Sequence, residues 1–207
     1  IGIAGANYGT DGQVLTSGGA GAACAWETVA GGLTGKVEGT NFTGSLLVGH
    51  STTGTLSSAG YNTGVGIIAL NSITQGDYNA ALGYDALTAI TSGSNNTAVG
   101  INSVITASTT HNNTGIGAYT LKVATGTGNT AVGSNAGILV ASGADYNVLL
   151  GYQAGNNITT GSGNVVIGNA DVSSATGDDQ LSISDGEDGS VVWITGESTG
   201  NVEISEV

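Results

Sequence analysis

One pentapeptide, Asn-Thr-Ala-Val-Gly, returning about every seventeen residues, constrains this chain more than any other feature. Asn96 to Gly100 and Asn129 to Gly133 carry it in full. Variants begin at Asn62, Asn79, Asn113, Asn147 and Asn164, and a degenerate copy runs from Ser45 to Gly49. The closing glycines are Gly49, Gly66, Gly83, Gly100, Gly117, Gly133, Gly151 and Gly168, spaced by 17 except for one step of 16 and one of 18. A fixed period of this length marks a solenoid, in which each repeat is one coil and buries its apolar side chains only by stacking on its neighbours.

The columns of the alignment carry the physics. Before each glycine stands a branched aliphatic: Val48, Val65, Leu82, Val99, Ile116, Val132, Leu150 and Ile167. Seven residues after it comes a second apolar column, Leu56, Ile73, Ile90, Ala107, Ala124, Val140, Ile158 and Ala175. A looser column lies four residues after it: Thr53, Leu70, Leu87, Val104, Leu121, Gly137, Gly155 and Val172. Short apolar segments cut by glycine, without helical periodicity, predict strands. The expectation is an all-β chain: a parallel β-solenoid of eight coils over residues 45–175, with the strand-end and seven-after columns inside. Each glycine supplies a positive-φ corner. Asn62, Asn79, Asn96, Asn113, Asn129, Asn147 and Asn164 are expected to pass amide hydrogen bonds from coil to coil. The small residues Gly64, Ala81, Ala98, Gly115 and Ala131 are read as sites where another chain approaches closely.

The flanks break the period. Residues 1–44 form a Gly/Ala-rich module with short strands at 13–16 and 26–29. In residues 176–207 the alternations Leu181/Ile183, Val192/Ile194 and Val202/Ile204 predict three antiparallel strands joined by acidic turns.

Charge and composition exclude several functions. Lys36 and Lys122 face fifteen acids, a formal net charge of −13. Two lysines cannot neutralise a phosphate backbone, so nucleic acid is not the partner. No apolar run is long enough to insert as a membrane helix. The chain starts at Ile1 and contains no methionine, so it is expected to be processed or a window of something longer.

Catalytic and metal-binding groups are sparse. Cys24, His50 and His111 are distant in sequence, and the segment before Lys36 lacks the first glycine and the hydroxyl of a P-loop. Asp185, Glu187 and Asp188 read as a solvated turn short of calcium ligands. Trp26 and Trp193 read as packing at module junctions. Within the rod the acids Asp77, Asp85 and Asp145 take unrelated positions, unlike the paired carboxylates of a glycan-cleaving solenoid. The chain is therefore expected to be non-enzymatic, with no catalytic residues, metal or cofactor.

The Asn-Thr-Ala-Val-Gly coils resemble those of bacteriophage tail-fibre proteins and, more distantly, the heads of trimeric autotransporter adhesins. Gly9-Thr-Asp-Gly-Gln-Val-Leu-Thr-Ser17 with Gly21-Ala-Ala-Cys-Ala-Trp26, and Val192-Trp-Ile-Thr-Gly196, resemble segments of such phage fibres, although Cys24 stands where a proline is usual. The resemblance implies a left-handed β-roll in each chain of an intertwined parallel homotrimer. It implies a virion tail fibre or other extracellular location, with a role as spacer or carrier of host attachment to a surface glycan or protein. Recognition is then expected in the variable turns Ser92–Asn95, Ser108–Asn112 and Ala141–Asp145. The alternatives are a cellular extracellular filament or adhesin and, further off, an ice-binding solenoid using the rank Thr63, Ala80, Thr97, Thr114, Thr130, Val148 and Val165.

Overall fold

A computed structural model describes residues 13–16, 25–28, 35–37 and 39–205. The chain divides into two compact units, Ile1–Thr34 and Gly35–Val207. In the first, β1 (Gln13–Thr16) and β2 (Ala25–Thr28) pair antiparallel, with Val14 opposite Glu27. Cys24 and the segment 30–34 lie outside the described residues.

The second unit is a single sheet of twelve strands, in spatial order identical to chain order. β3 (Gly35–Val37) runs antiparallel to β4 (Leu46–Val48). Parallel pairing then continues through β5 (Thr63–Val65), β6 (Ala80–Leu82), β7 (Thr97–Val99), β8 (Thr114–Ile116), β9 (Thr130–Val132), β10 (Val148–Leu150), β11 (Val165–Ile167) and β12 (Leu181–Ser184). Each coil adds one three-residue strand directly over the last. The eight steps from β4 to β12 make a rod of about 38 Å at ~4.8 Å per strand. β13 (Val192–Gly196) and β14 (Val202–Ile204) close the sheet antiparallel. The fold is a parallel β-solenoid of seventeen-residue coils with antiparallel C-terminal strands, and the acidic meander extends the same sheet.

Burial corrects one expectation. In β5, β6 and β10 the middle residue is buried and both ends are exposed. Inward-facing positions are therefore Leu47, Gly64, Ala81, Ala98, Gly115, Ala131, Leu149 and Val166. The aliphatic before each glycine points outward: Leu82 is 51% exposed and Leu150 48%. The reason is the two-residue period of a strand, which puts i and i+2 on the face opposite i+1. The small residues are thus not an approach surface for another chain. They are small because the coil is thin: a Cβ at Gly64 would lie 3.2 Å from Leu70 Cδ1.

The core is filled from the other side of the coil. Leu70, Leu87, Val104 and Leu121 in the four-after column are fully buried, as are Ile73, Ile90, Ala107, Ala124, Val140 and Ile158 in the seven-after column. A further column, three after the glycine, is fully buried too: Ala69, Ala86, Ser103, Thr120, Ala136 and Ala154. Its polar members satisfy one another, with Ser103 Oγ and Thr120 Oγ1 2.7 Å apart. The bends that bring these columns inward use left-handed backbone at non-glycine residues, such as Ile68 (φ 57°), Leu70 (φ 57°) and Val104 (φ 51°).

Candidate functional site

The outward face of the sheet is the most distinctive surface of the described residues. Strand register aligns Val48, Val65, Leu82, Val99, Ile116, Val132, Leu150, Ile167, Ile183, Ile194 and Ile204 in one column. A parallel column two residues upstream runs from Leu46 through Thr63, Ala80, Thr97, Thr114, Thr130, Val148, Val165 and Leu181 to Gly196 and Val202. The threonine rank named above falls here, interrupted by Ala80, Val148 and Val165. Neither column contains a charged residue. Immediately past the corner, Ile67, Tyr84, Ile101 and Tyr152 are 42–61% exposed.

The glycine corners define the edge of this face. Gly49, Gly66, Gly83, Gly100, Gly117, Gly133, Gly151 and Gly168 have φ between 104° and 141°. Stacking adds a second constraint. A Cβ on Gly100 would sit 2.6 Å from the carbonyl carbon of Gly117 in the next coil. Both conformation and space therefore demand glycine.

Behind the strands runs a continuous amide ladder. The Oδ1 of Asn62 accepts from the backbone N–H and the Nδ2 of Asn79, at 2.9 and 3.0 Å. The pattern repeats through Asn96, Asn113, Asn129, Asn147 and Asn164. Each Nδ2 also donates to a turn carbonyl, such as Asn79 to Gly93 at 2.9 Å. These buried amides thereby use both ends of the side chain, as burial requires. Ser45 Oγ starts the ladder by accepting from the Asn62 N–H at 2.8 Å. Gln180 ends it, with its N–H and Nε2 donating to Asn164 Oδ1 at 2.9 and 3.1 Å. Gln180 has no place in the pentapeptide pattern; only its position sixteen residues after Asn164 points to it.

A second ladder runs along the turns two residues before the asparagines. Asp77 Oδ1 accepts from the Gly60 N–H (2.7 Å), Ser94 Oγ from Asp77 (3.0 Å) and His111 Nδ1 from Ser94 (3.0 Å). It resumes with Asp145 accepting from Thr127 (2.7 Å), Ser162 from Asp145 (3.0 Å) and Asp178 from Ser162 (2.8 Å). Asp77 and Asp145 therefore occupy equivalent positions, contrary to the expectation that the rod's acids are unrelated. The turns 92–95, 108–112 and 141–145 are likewise tied to the stack rather than free to vary. Any oxygen or ring-nitrogen acceptor of short reach serves, which disguises the column in the sequence.

Several other titratable groups are held in local contacts. His50 Nε2 lies 2.6 Å from the Ala69 carbonyl, while its Nδ1 accepts from the Thr52 N–H at 3.2 Å. Asp185 accepts from the N–H groups of Gly189 (2.7 Å) and Val191 (3.1 Å), folding the turn that contains Glu187 and Asp188. Hydrogen bonds from the Ser190 hydroxyl and N–H hold the Asp188 carboxyl below its usual range. Among the described residues no three His, Cys, Asp or Glu side chains converge as a metal site. Lys36 Nζ lies over the Phe42 ring at 5.8 Å and Lys122 over Tyr119 at 5.4 Å. A cavity of about 210 Å³ lies between the last coil and β13–β14, lined by Asp171, Ser173, Gln180, Glu197, Asn201 and Glu203 among others. Trp193 is half-exposed.

No protein-family model matches the chain, and no match is found among curated proteins or solved structures. Fold and surface define a class: a β-solenoid repeat protein with a broad uncharged outer face.

Proposed function

We propose that this chain is a non-enzymatic segment of an extracellular fibre, most specifically of a bacteriophage tail fibre, which spaces or carries an element that binds the host surface. The observation that carries the reading is the commitment of nearly every repeated position to stacking. Inward columns fill the core, glycines make the corners, asparagines form one ladder, and turn acceptors form another. Such a rod is stiff because each coil is hydrogen-bonded to the next along three lines, the two ladders and the sheet. It presents trypsin-like proteases with only Lys36 and Lys122. These properties serve a fibre and contribute nothing to turnover. His50, His111, Asp77 and Asp145 hold backbone groups, a use that supports a structural role.

The ends favour a finite fibre segment over a filament that grows by stacking coil on coil. Ser45 and Gln180 terminate the amide ladder, and β3 and β13 run antiparallel to the rod strands on either side of the parallel run. Neither of these two strands offers a new coil a parallel template. The test is adsorption of the parent virus in the presence of the purified chain, together with localisation in virion fibre density. Competition or a match to fibre density supports the reading. Neither of these, combined with turnover of a glycan, would falsify it.

A further inference from the structure

The structure assigns a further site to this chain: the cavity between the last coil and β13–β14 is a binding site for a guanidinium group carried by another molecule. The assignment goes beyond the fibre reading and does not depend on it.

The cavity opens where the inward column of the sheet changes character. From Leu47 to Val166 that column is apolar or glycine, as a packed interior requires. Register then carries it from Val166 onto Ser182 in β12, Thr195 in β13 and Glu203 in β14. β13 and β14 are joined by turns too short to make a coil, so no side chains reach across as Leu70 and Ile73 do in the rod. The space left is about 210 Å³, and Ser182, Thr195 and Glu203 all line it. A single water needs only roughly 10–15 Å³.

The polar groups of this lining are not used by the fold. Ser182 is only 4% exposed, yet its hydroxyl has no hydrogen-bond partner among the described residues. Buried hydroxyls are ordinarily satisfied. Ser184, equally buried two residues further along the same strand, obeys that rule by donating to the Asp185 carbonyl at 3.0 Å. The Thr195 hydroxyl and the Glu197 and Glu203 carboxylates, also in the lining, likewise have no partner among the described residues. Asp171 commits one oxygen, Oδ1, to the Asn157 N–H at 3.2 Å and keeps the other.

Charge and geometry select the ligand. Asp171, Glu197 and Glu203 face the cavity, and no lysine, arginine or histidine occurs anywhere after Lys122. An anion is therefore repelled, and a neutral ligand leaves the carboxylates unused. A bare metal ion is unsuited too, because no three carboxylates among the described residues converge on one point. The ligand must be a cation whose donors are spread out. A guanidinium carries five N–H donors in a rigid planar fork and no acceptor. It meets hydroxyls at Ser182 and Thr195 and carboxylates at the rim, the pairing in which its hydrogen bonds are strongest. An ammonium is a compact point charge and reaches fewer of them.

The group comes from outside the chain. The sequence contains no arginine, so neither this chain nor a second copy supplies it. The two lysines are also engaged, Lys36 over the Phe42 ring and Lys122 over the Tyr119 ring.

Amide NMR titration of the intact chain tests this, with N-acetyl-arginine amide as probe and N-acetyl-citrulline amide as its neutral isostere. The arginine probe should shift the amide signals of Ser182, Thr195 and Gly196, and the citrulline probe should shift none of them. Glu203→Gln, at an exposed position, should weaken binding by about tenfold or more. If that change loosens β14, Glu197→Gln in the following turn decides. Free arginine separates the two sources of the group. Its α-carboxylate is repelled by the acidic lining, so weaker binding than the amide assigns the site to an arginine of a protein, and tighter binding assigns it to a small molecule. No shifts at tens of millimolar probe, equal shifts with citrulline, or full affinity in a folded Glu203→Gln overturns the inference. Each of these leaves the fibre reading standing, since that reading fails separately, on virus adsorption and fibre density.

Discussion

Asn79 Oδ1 receives two hydrogen bonds from Asn96, one from the backbone N–H at 3.0 Å and one from Nδ2 at 3.1 Å. Seven such asparagines, all at most 1% exposed, thread the rod from Ser45 to Gln180. Because each amide serves the coils on both sides, a single substitution disturbs three levels of the stack.

Asn96→Ala removes the acceptor of the Asn113 N–H and the donor to the Thr110 carbonyl. Each buried group left unpaired costs about 1–3 kcal/mol, so a loss of roughly 2–5 kcal/mol is expected from urea unfolding. Gln180→Ala, at the end of the ladder, should cost a comparable amount, because its side chain accepts from the Ser174 N–H and donates to the Ser174 and Gly177 carbonyls. A loss below about 0.5 kcal/mol for Asn96→Ala would contradict a continuous ladder.

Gly100→Ala meets two obstacles, a φ of 131° and the Gly117 carbonyl. The expected loss is more than about 3 kcal/mol, because backbone strain and steric overlap add. Gly39→Ala is the control: a Cβ there has nothing within 4 Å. Thermal melts of the two variants should differ by many degrees.

Ile68 is β-branched, half-buried and held at a φ of 57°. The equivalent positions in later coils, Asp85, Asn102, Tyr119, Asn135 and Gln153, all lie at φ 54–60°, and two of them are asparagine. Left-handed backbone costs an ordinary residue about 1–2 kcal/mol and asparagine less. Ile68→Asn should raise the unfolding midpoint slightly; a fall would mean that the isoleucine's packing outweighs its strain.

His111 acts in the second ladder as an acceptor for the Ser94 N–H. His111→Asp, which installs the residue found at Asp77 and Asp145, should be nearly neutral. His111→Ala should cost about 0.5–1.5 kcal/mol, the net worth of one hydrogen bond. Amide exchange at Ser94 provides the local readout, accelerating in the alanine variant alone.

The Asp188 carboxyl is held below its ordinary value of 3.8 by hydrogen bonds from Ser190. A lowered carboxylate stabilises the fold above the unfolded-state value, and that contribution is lost as pH falls through the folded-state value. The turn should therefore loosen only below about pH 4. A carboxyl-carbon NMR titration checks this: Ser190→Ala should move the Asp188 midpoint upward, and an unchanged midpoint would remove the Ser190 hydroxyl as a cause, since the alanine keeps the backbone N–H.

The sequence by itself determined the period, the corners and the asparagines, because each is one residue type recurring at one spacing. It also placed the three C-terminal strands, since period-two alternation there leaves no other assignment. Which side of the strand faces inward was decided only by tertiary structure. A three-residue strand reading Thr-Ala-Val has its largest apolar side chain at one end, and hydrophobicity alone sends that valine to the core. The coil interior is too narrow, already filled by Leu70, Leu87, Ile73 and Ile90 from across the coil, so the small middle residue goes in and Val99 half out. The turn ladder was hidden for a related reason. Aspartate, serine and histidine have no residue type in common, and only the stacked backbone shows that each accepts from the same N–H one coil below.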